Sequence, residues 1–212
     1  MIYLDYAATS PVYSAVLDEM DRVSREFYAN PSSLYKLGYS ARKILQQSRS
    51  TLAASIGAET DEIVFTSGGT ESNNLALFGV MRTNQKKKHL IVGSTEHQSI
   101  LAAARALARE GYDLSILPCD QNGVYSPEEL ARLIRPDTAL VSLQLANHET
   151  GVLQPIAELG AITRSNHIPL HCDAVAAYGH IPLDVRALNI DLMSAAAHKI
   201  GGPRGAGFLF VR

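Results

Sequence analysis

Residues 62–74 read EIVFTSGGTESNN: a short apolar run, two glycines, then polar residues that open a helix. A strand that passes through a glycine turn straight into a helix is the unit from which parallel sheets are built, because parallel strands need a long crossover between them. The helix is expected over about 71–82, and the same order recurs downstream. HLIVG (89–93) is a strand, followed by a helix over about 98–110 that Gly111 closes. YDLSILP (112–118) is a strand, and SPEELARLI (126–134) starts a helix with Ser126 as N-cap, Pro127 in the first turn and Glu129 three residues after the cap. ALVSLQL (139–145) precedes a helix over PIAELGAITRSNH (155–167), and IPLHC (168–172) and DLMSA (191–195) add further strands. These strand runs lack a polar face, as strands buried on both sides do. The predicted fold is therefore α/β, a mainly parallel sheet with helices on both faces. GAGFLFV (205–211) supplies a late strand, for which an antiparallel place is open.

Upstream of the alternation, MIYLDYAATSPV (1–12) reads as an ordered arm that needs a surface to pack on. After Pro11 a helix is expected, with Val16, Leu17, Met20 and Val23 near helical spacing. FYANPSSLYKLG (27–38) reads as a loop, and a second helix over about 39–56 carries Ala41, Ile44, Leu45, Leu52, Ala53 and Ile56 on one face, with Gly57 as its stop. The expected organisation is an arm over 1–15 and one large domain over 16–212.

With 19 Lys+Arg against 21 Asp+Glu, the chain has no general nucleic-acid footprint, and Lys86, Lys87 and Lys88 read as a solvated linker. Two cysteines, Cys119 and Cys172, do not make a disulfide framework. No leader pattern and no apolar run of membrane-spanning length is present, so the expected location is cytoplasmic, without membrane contact.

In open parallel sheets, ligands bind beyond the carboxyl ends of the strands, and most of the unusual polar clusters of this chain fall there. SGGTESNN (67–74) offers glycines, a helix N-terminus and the Thr70 hydroxyl, as a phosphate cradle does, although a glycine turn capping an ordinary helix would look the same. It lacks the dinucleotide G-x-G-x-x-G spacing and the Walker lysine. Asp173 ends a buried strand and needs a partner, either a cationic ring nitrogen or a helix cap or salt bridge. His97 could stack on a flat cofactor or serve the fold. Lys199, followed by Gly201 and Gly202, places an amine where it could form a Schiff base. Taken together, the four features match the needs of pyridoxal phosphate. A metal site is not expected, because the histidines show no HExxH pattern and neither cysteine has a CxxC neighbour.

The chain closely resembles the cysteine desulfurases of the NifS/IscS type, pyridoxal-phosphate enzymes of the aspartate-aminotransferase fold. YLDYAAT (3–9), NPSS (30–33), EIVFTSGGTESNN (62–74), TEHQSI (95–100), NHETG (147–151), HCDAV (171–175) and DLMSAAAHKIGGPRG (191–205) stand in the family order. The resemblance implies that Lys199 forms the Schiff base and acts as base at the substrate α-carbon, and that Asp173 pairs with the pyridinium nitrogen. It further implies that His97 stacks over the ring and shares in proton transfers. Thr70 and His198, with backbone at Gly69, would bind the phosphate, and Asn147 would sit near the substrate carboxylate and the ring. It implies L-cysteine as substrate, an enzyme persulfide, release of alanine, a homodimer, and sulfur transfer to an iron–sulfur scaffold or a tRNA-thiolation protein. Two departures stand out: Ala176, where the family commonly has a glutamine, and Ala196, where it commonly has a serine. The family's small domain and its loop with the persulfide cysteine match nothing in these 212 residues, so the chain is expected to be the cofactor-binding large domain alone. A related lyase acting on selenocysteine or another amino acid, and an inactive fragment with a structural or partner-binding role, are the competing readings.

Overall fold

A computed structural model describes residues 2–84 and 86–212; Met1, the first residue of the expected arm, lies outside them. Helices α1 (Ser14–Glu26) and α2 (Lys36–Ser55) come first. The alternation follows as β1 (Ile63–Thr66), α3 (Gly69–Thr83), β2 (His89–Gly93), α4 (Gln98–Arg109), β3 (Asp113–Leu117), α5 (Pro127–Leu133), β4 (Thr138–Gln144), α6 (Ile156–Ser165), β5 (Leu170–Asp173), β6 (Leu192–Ala196) and β7 (Gly207–Val211). One sheet holds all seven strands in the order β1-β7-β6-β5-β4-β2-β3. Among the described residues its only antiparallel member is β7, which lies between β1 and β6 and runs against both.

Burial follows from position in the sheet. The inner strands β2, β4, β5 and β6 are buried at every residue, whereas the edge strands β1 and β3 are partly exposed. Two cores flank the sheet. One packs Ile56, the C-cap of α2, with Leu130 of α5 and Leu159 of α6 against Ile91, Val141 and Met193. The other packs Leu77 and Met81 of α3 and Ile100 and Leu107 of α4 against Leu90, Val92 and Leu140. Each such side chain, fully buried, contributes about 1.5–3 kcal/mol. The expected helices on both faces are therefore present.

Two buried histidines tie strands together through their rings. His89 bridges Thr138 Oγ1 and Ser115 Oγ, each at 2.8 Å. His171 bridges Ser142 Oγ at 2.8 Å and Ser194 Oγ at 2.9 Å, joining β4, β5 and β6. Burial pushes the His171 pKa down to about 3, so the ring is neutral and each serine can meet one of its nitrogens.

Helix bounds differ from expectation at two N-termini, neither of which has a side-chain cap. Helix α3 starts at Gly69, two residues before the expected 71, and α2 starts at Lys36 rather than 39. Ser126 caps α5, accepting from Glu129 N at 3.3 Å; the Glu129 carboxylate turns outward to Arg132, and Glu128 takes the Ser126 hydroxyl. Helix α1 buries none of its residues fully: Val16 and Val23 are half-buried, while Leu17 and Met20 stay exposed, so its expected apolar face is only partly covered among the described residues.

Candidate active site

Five strand ends open into one cavity of about 650 Å³, within the range of small-molecule sites. Lys199, His198, Asp173, His97, Thr70 and Gly69 all line it. Six of the seven expected site residues thus meet in one place, although they are up to 130 residues apart in the chain.

The floor of the cavity near β1 is the first turn of α3. Gly68, its N-cap, sits at φ 145, in the region that favours glycine. A Cβ on Gly69 would lie 2.5 Å from Val175 Cγ2, so glycine is what lets α3 approach the turn after β5. The leading N–H groups of this 15-residue helix have no intrahelical acceptor and present a positive dipole end. Thr70 is exposed beside them. An anion is favoured here.

Asp173 ends β5 and is 6% exposed, so its partners matter. Oδ1 accepts from Val175 N at 3.0 Å and Oδ2 accepts from Asn73 Nδ2 at 2.8 Å. Each oxygen keeps acceptor capacity for a cationic group in the cavity. His97 caps α4: its Nδ1 accepts from Ser99 N at 3.1 Å and lies 2.8 Å from Ser99 Oγ. Burial lowers the His97 pKa; Asp173 opposes that, while His148 and Lys199 add to it. His148 meets His97 edge-on with centroids 5.1 Å apart.

His198 and Lys199 stand on a 3₁₀ turn directly after β6. Burial lowers the Lys199 pKa, against the raising pull of Asp5, Asp173 and Glu149, so the neutral, nucleophilic amine is more accessible than on a solvated lysine. The His198 pKa is lowered by burial, then by Lys199 and Arg204. The N-terminal arm closes over this turn. Ser10 N donates to His198 O at 2.9 Å, Tyr13 N to Gly201 O at 3.0 Å, and Lys199 Nζ to Ala7 O. A Cβ on Gly201, whose φ is +78, would strike the Tyr13 ring at 2.2 Å.

Asn147 stands apart from the other six. It does not line the cavity, and the fold uses its amide: Nδ2 donates to Thr95 O at 3.0 Å, while Oδ1 accepts from Glu149 N at 2.9 Å and Thr150 N at 2.8 Å. Gln144, three residues earlier, lines the cavity instead. Ala176 is also a lining residue, whereas Ala196 is buried at the end of β6.

Sequence reading assigned no part to Asn73, Ser99, Asp5, His148 or Glu149, all at the cavity, or to Glu96 behind it. Glu96 is 3% exposed; its Oε1 accepts from Gln144 N at 2.8 Å and Tyr125 OH at 3.1 Å, and its Oε2 is buried without a partner among the described residues. Burial raises its pKa to about 8. A glutamate three residues after the end of an apolar strand, as in TEHQ, is a signal that could have marked it.

Cys172 is buried in β5 and Cys119 is half-buried after β3; both are free thiols and neither lines the cavity. Burial holds the Cys172 pKa well above the ordinary thiol value. Among the described residues no helix is long and apolar enough to cross a membrane.

Comparison with known proteins places this geometry in a family. The sequence model "Aminotransferase class-V" matches residues 2–212. Cysteine desulfurase IscS of Methanosarcina thermophila is 44% identical over 212 residues, covering 100% of this chain and 52% of that protein. The mitochondrial cysteine desulfurase of Saccharomyces cerevisiae is 47% identical over 213 residues, covering 100% of this chain and 43% of the relative. Among solved structures, "SspA in complex with cysteine" superposes with a TM-score of 0.97 at 37% identity, and a NifS-like protein with 0.96 at 36%. Those matches cover 100% of this chain, and 61% and 59% of the solved chains. The chain thus spans about half the length of the curated relatives it matches.

Proposed function

The chain belongs to the aminotransferase class-V family, and from that membership we propose that it is the cofactor-binding large domain of a cysteine desulfurase, which takes sulfur from L-cysteine and releases L-alanine. Enzymes of this kind depend on pyridoxal 5′-phosphate. One observation carries the reading: an amine, a buried carboxylate and a glycine-opened helix N-terminus converge on a single cavity. These residues fit the cofactor's amine-reactive, cationic and anionic parts respectively.

When bound, the cofactor supplies an electron sink for charge developing at the substrate α-carbon. The chain's own residues divide the remaining work. The first turn of α3 at Gly69, the Thr70 hydroxyl and His198 hold the phosphate. Asp173 would hold the ring nitrogen in its charged form, and His97 would stack over the ring and share in proton transfers. Lys199 would be the residue that anchors the cofactor, and its Nζ would serve as the base for the proton at the substrate α-carbon. Asn147 would act one step back, bracing the loop after β4 that carries His148 and Glu149. The expected arm, through Ala7, Ser10 and Tyr13, would serve as a cover for the lysine turn of the large domain.

L-Cysteine as substrate is supported by the cysteine named with the SspA structure. The thiolate that attacks the substrate sulfur is neither Cys119 nor Cys172, since neither reaches the cavity and burial disfavours ionising Cys172. A homodimer is supported by apolar side chains left in solvent, such as Leu34 at 97%, Ile2 at 86% and Leu4 at 84% exposure. Free cysteines suit a reducing, cytoplasmic setting. The acceptor would be an iron–sulfur scaffold or a tRNA-thiolation protein.

The test is chemical. The protein is incubated with pyridoxal 5′-phosphate, reduced with borohydride and digested. The label should sit on Lys199, and a Lys199→Ala variant should remain folded and unlabelled. A label on any other lysine would show that the anchor is misassigned.

A further inference from the structure

We propose that Asn73 and Ser99 are positioning residues that couple Asp173 to His97 and hold the His97 ring in one tautomer, with Nδ1 bare and the proton on Nε2. The functional meaning of this coupling rests on the cofactor reading above, but the coupling itself is a property of the chain alone.

The network runs through a single nitrogen. Asn73 Nδ2 donates to Asp173 Oδ2 and to Ser99 Oγ, both at 2.8 Å. The reverse amide orientation is excluded by charge, because it would set a carbonyl oxygen against the carboxylate. Both Asn73 amide hydrogens are therefore committed, one to each partner. Ser99 Oγ, now an acceptor from Asn73, has its own hydrogen free for His97 Nδ1 at 2.8 Å. Ser99 N–H points at the same Nδ1 from 3.1 Å. Two donors aimed at one ring nitrogen require a lone pair there, so the neutral ring carries its hydrogen on Nε2. That nitrogen has no partner among the described residues, and the ring lines the cavity. Asn73 is 1% exposed and Ser99 9%, so water competes poorly with these bonds.

The result is a pair of opposite groups held in register at two strand ends: Asp173 as acceptor and His97 Nε2–H as donor. Protonation of His97 would put a hydrogen on Nδ1 against both Ser99 donors. The network therefore opposes the imidazolium form, in the same direction as burial and as His148 and Lys199, and against Asp173.

The experiment reads tautomers directly in the protein without cofactor. Histidine is labelled with ¹⁵N, long-range ¹H–¹⁵N spectra are recorded across pH, and His97 is assigned by its loss in His97→Gln. The wild type should show an acceptor-type Nδ1 and a protonated Nε2. Ser99→Ala keeps the backbone N–H and an ordinary helix turn; it should shift the His97 midpoint upward and populate the second tautomer. Asn73→Ala, which frees the Ser99 hydroxyl to rotate, should shift it in the same direction, and Ser99→Thr should restore wild-type signals. A wild-type ring protonated on Nδ1 overturns the proposal. So does a Ser99→Ala spectrum identical to the wild type, which would assign the lock to the backbone alone. Titration with pyridoxal 5′-phosphate is read separately: failure of the wild type to bind would refute the cofactor reading and leave the tautomer result standing.

Discussion

Glu96 offers the sharpest quantitative test of the electrostatics behind the cavity. Its carboxyl is fully enclosed, one oxygen takes two hydrogen bonds, and the other has none among the described residues. Ionising it would place charge on that unpartnered oxygen in a site where the Asp173 charge already raises the cost. Burial lifts the folded-state pKa to about 8 from an ordinary value of 4.5, so the folded protein holds a proton that the unfolded chain has released. Stability must therefore fall as pH rises through this interval and level off above the folded pKa. Each unit inside it is worth about 1.4 kcal/mol. Between pH 5.5 and 8.5 the loss integrates to about 3 kcal/mol, an upper value for a group free to relax. Other groups pull the opposite way: Lys199 and the depressed histidines release protons on folding, which adds stability as pH rises. The difference between wild type and Glu96→Gln isolates the carboxyl, because glutamine keeps the acceptor for Gln144 N and Tyr125 OH without titrating. Urea unfolding of both proteins at half-unit steps should find Glu96→Gln within about 1 kcal/mol of wild type at pH 5.5. By pH 8.5 it should be the more stable of the two. Parallel curves across the whole range would refute the buried, protonated carboxyl.

Gly69→Ala should destabilise the fold by about 1–3 kcal/mol, because the new Cβ meets a stiff β-branched side chain, and Val175→Ala in the same protein should recover most of that. Urea denaturation checks both; a single variant as stable as the wild type would show that α3 can move away from the turn. His171 carries the opposite pH signature to Glu96. Its folded pKa of about 3 lies below the unfolded value of 6.5, so the stability it holds at neutral pH is lost as pH falls below 6.5, by about 1.4 kcal/mol per unit. Denaturation between pH 6.5 and 5 should be steeper for the wild type than for His171→Gln, and equal slopes would count against a neutral His171 bridge.

How much could be read before folding was considered depends on the range of the physics involved. The strand–helix alternation, Gly57 and Gly111 as helix stops, Ser126 as a cap and the gathering of polar clusters after apolar runs are set by neighbours a few residues apart, and all are legible along the chain. Parallel pairing follows from connections too long for hairpins. These suffice to bring Gly69, Thr70, His97, Asp173, His198 and Lys199 to one side of a sheet, because strand ends share an edge whatever the strand order. What remained was decided by contacts across large sequence separations. The place of β7 between β1 and β6 depends on pairing with strands more than 140 residues away in one case and immediately before it in the other. The arm could be recognised as needing a partner, yet only the folded chain sets Ser10 and Tyr13 on the turn that bears Lys199. Asn147 shows the same limit from the other side. Its motif places it at the right strand end, and there the loop engages both its amide donor and its acceptor, while Asn147 is not among the residues that line the cavity. The bond from Asn73 to Asp173 joins residues 100 positions apart, and the enclosure of Glu96 needs Gln144 and Tyr125 from two other elements. Local pattern selects which residues reach the site; burial and hydrogen-bond satisfaction, which exist only once distant segments pack, determine their orientation and their charge.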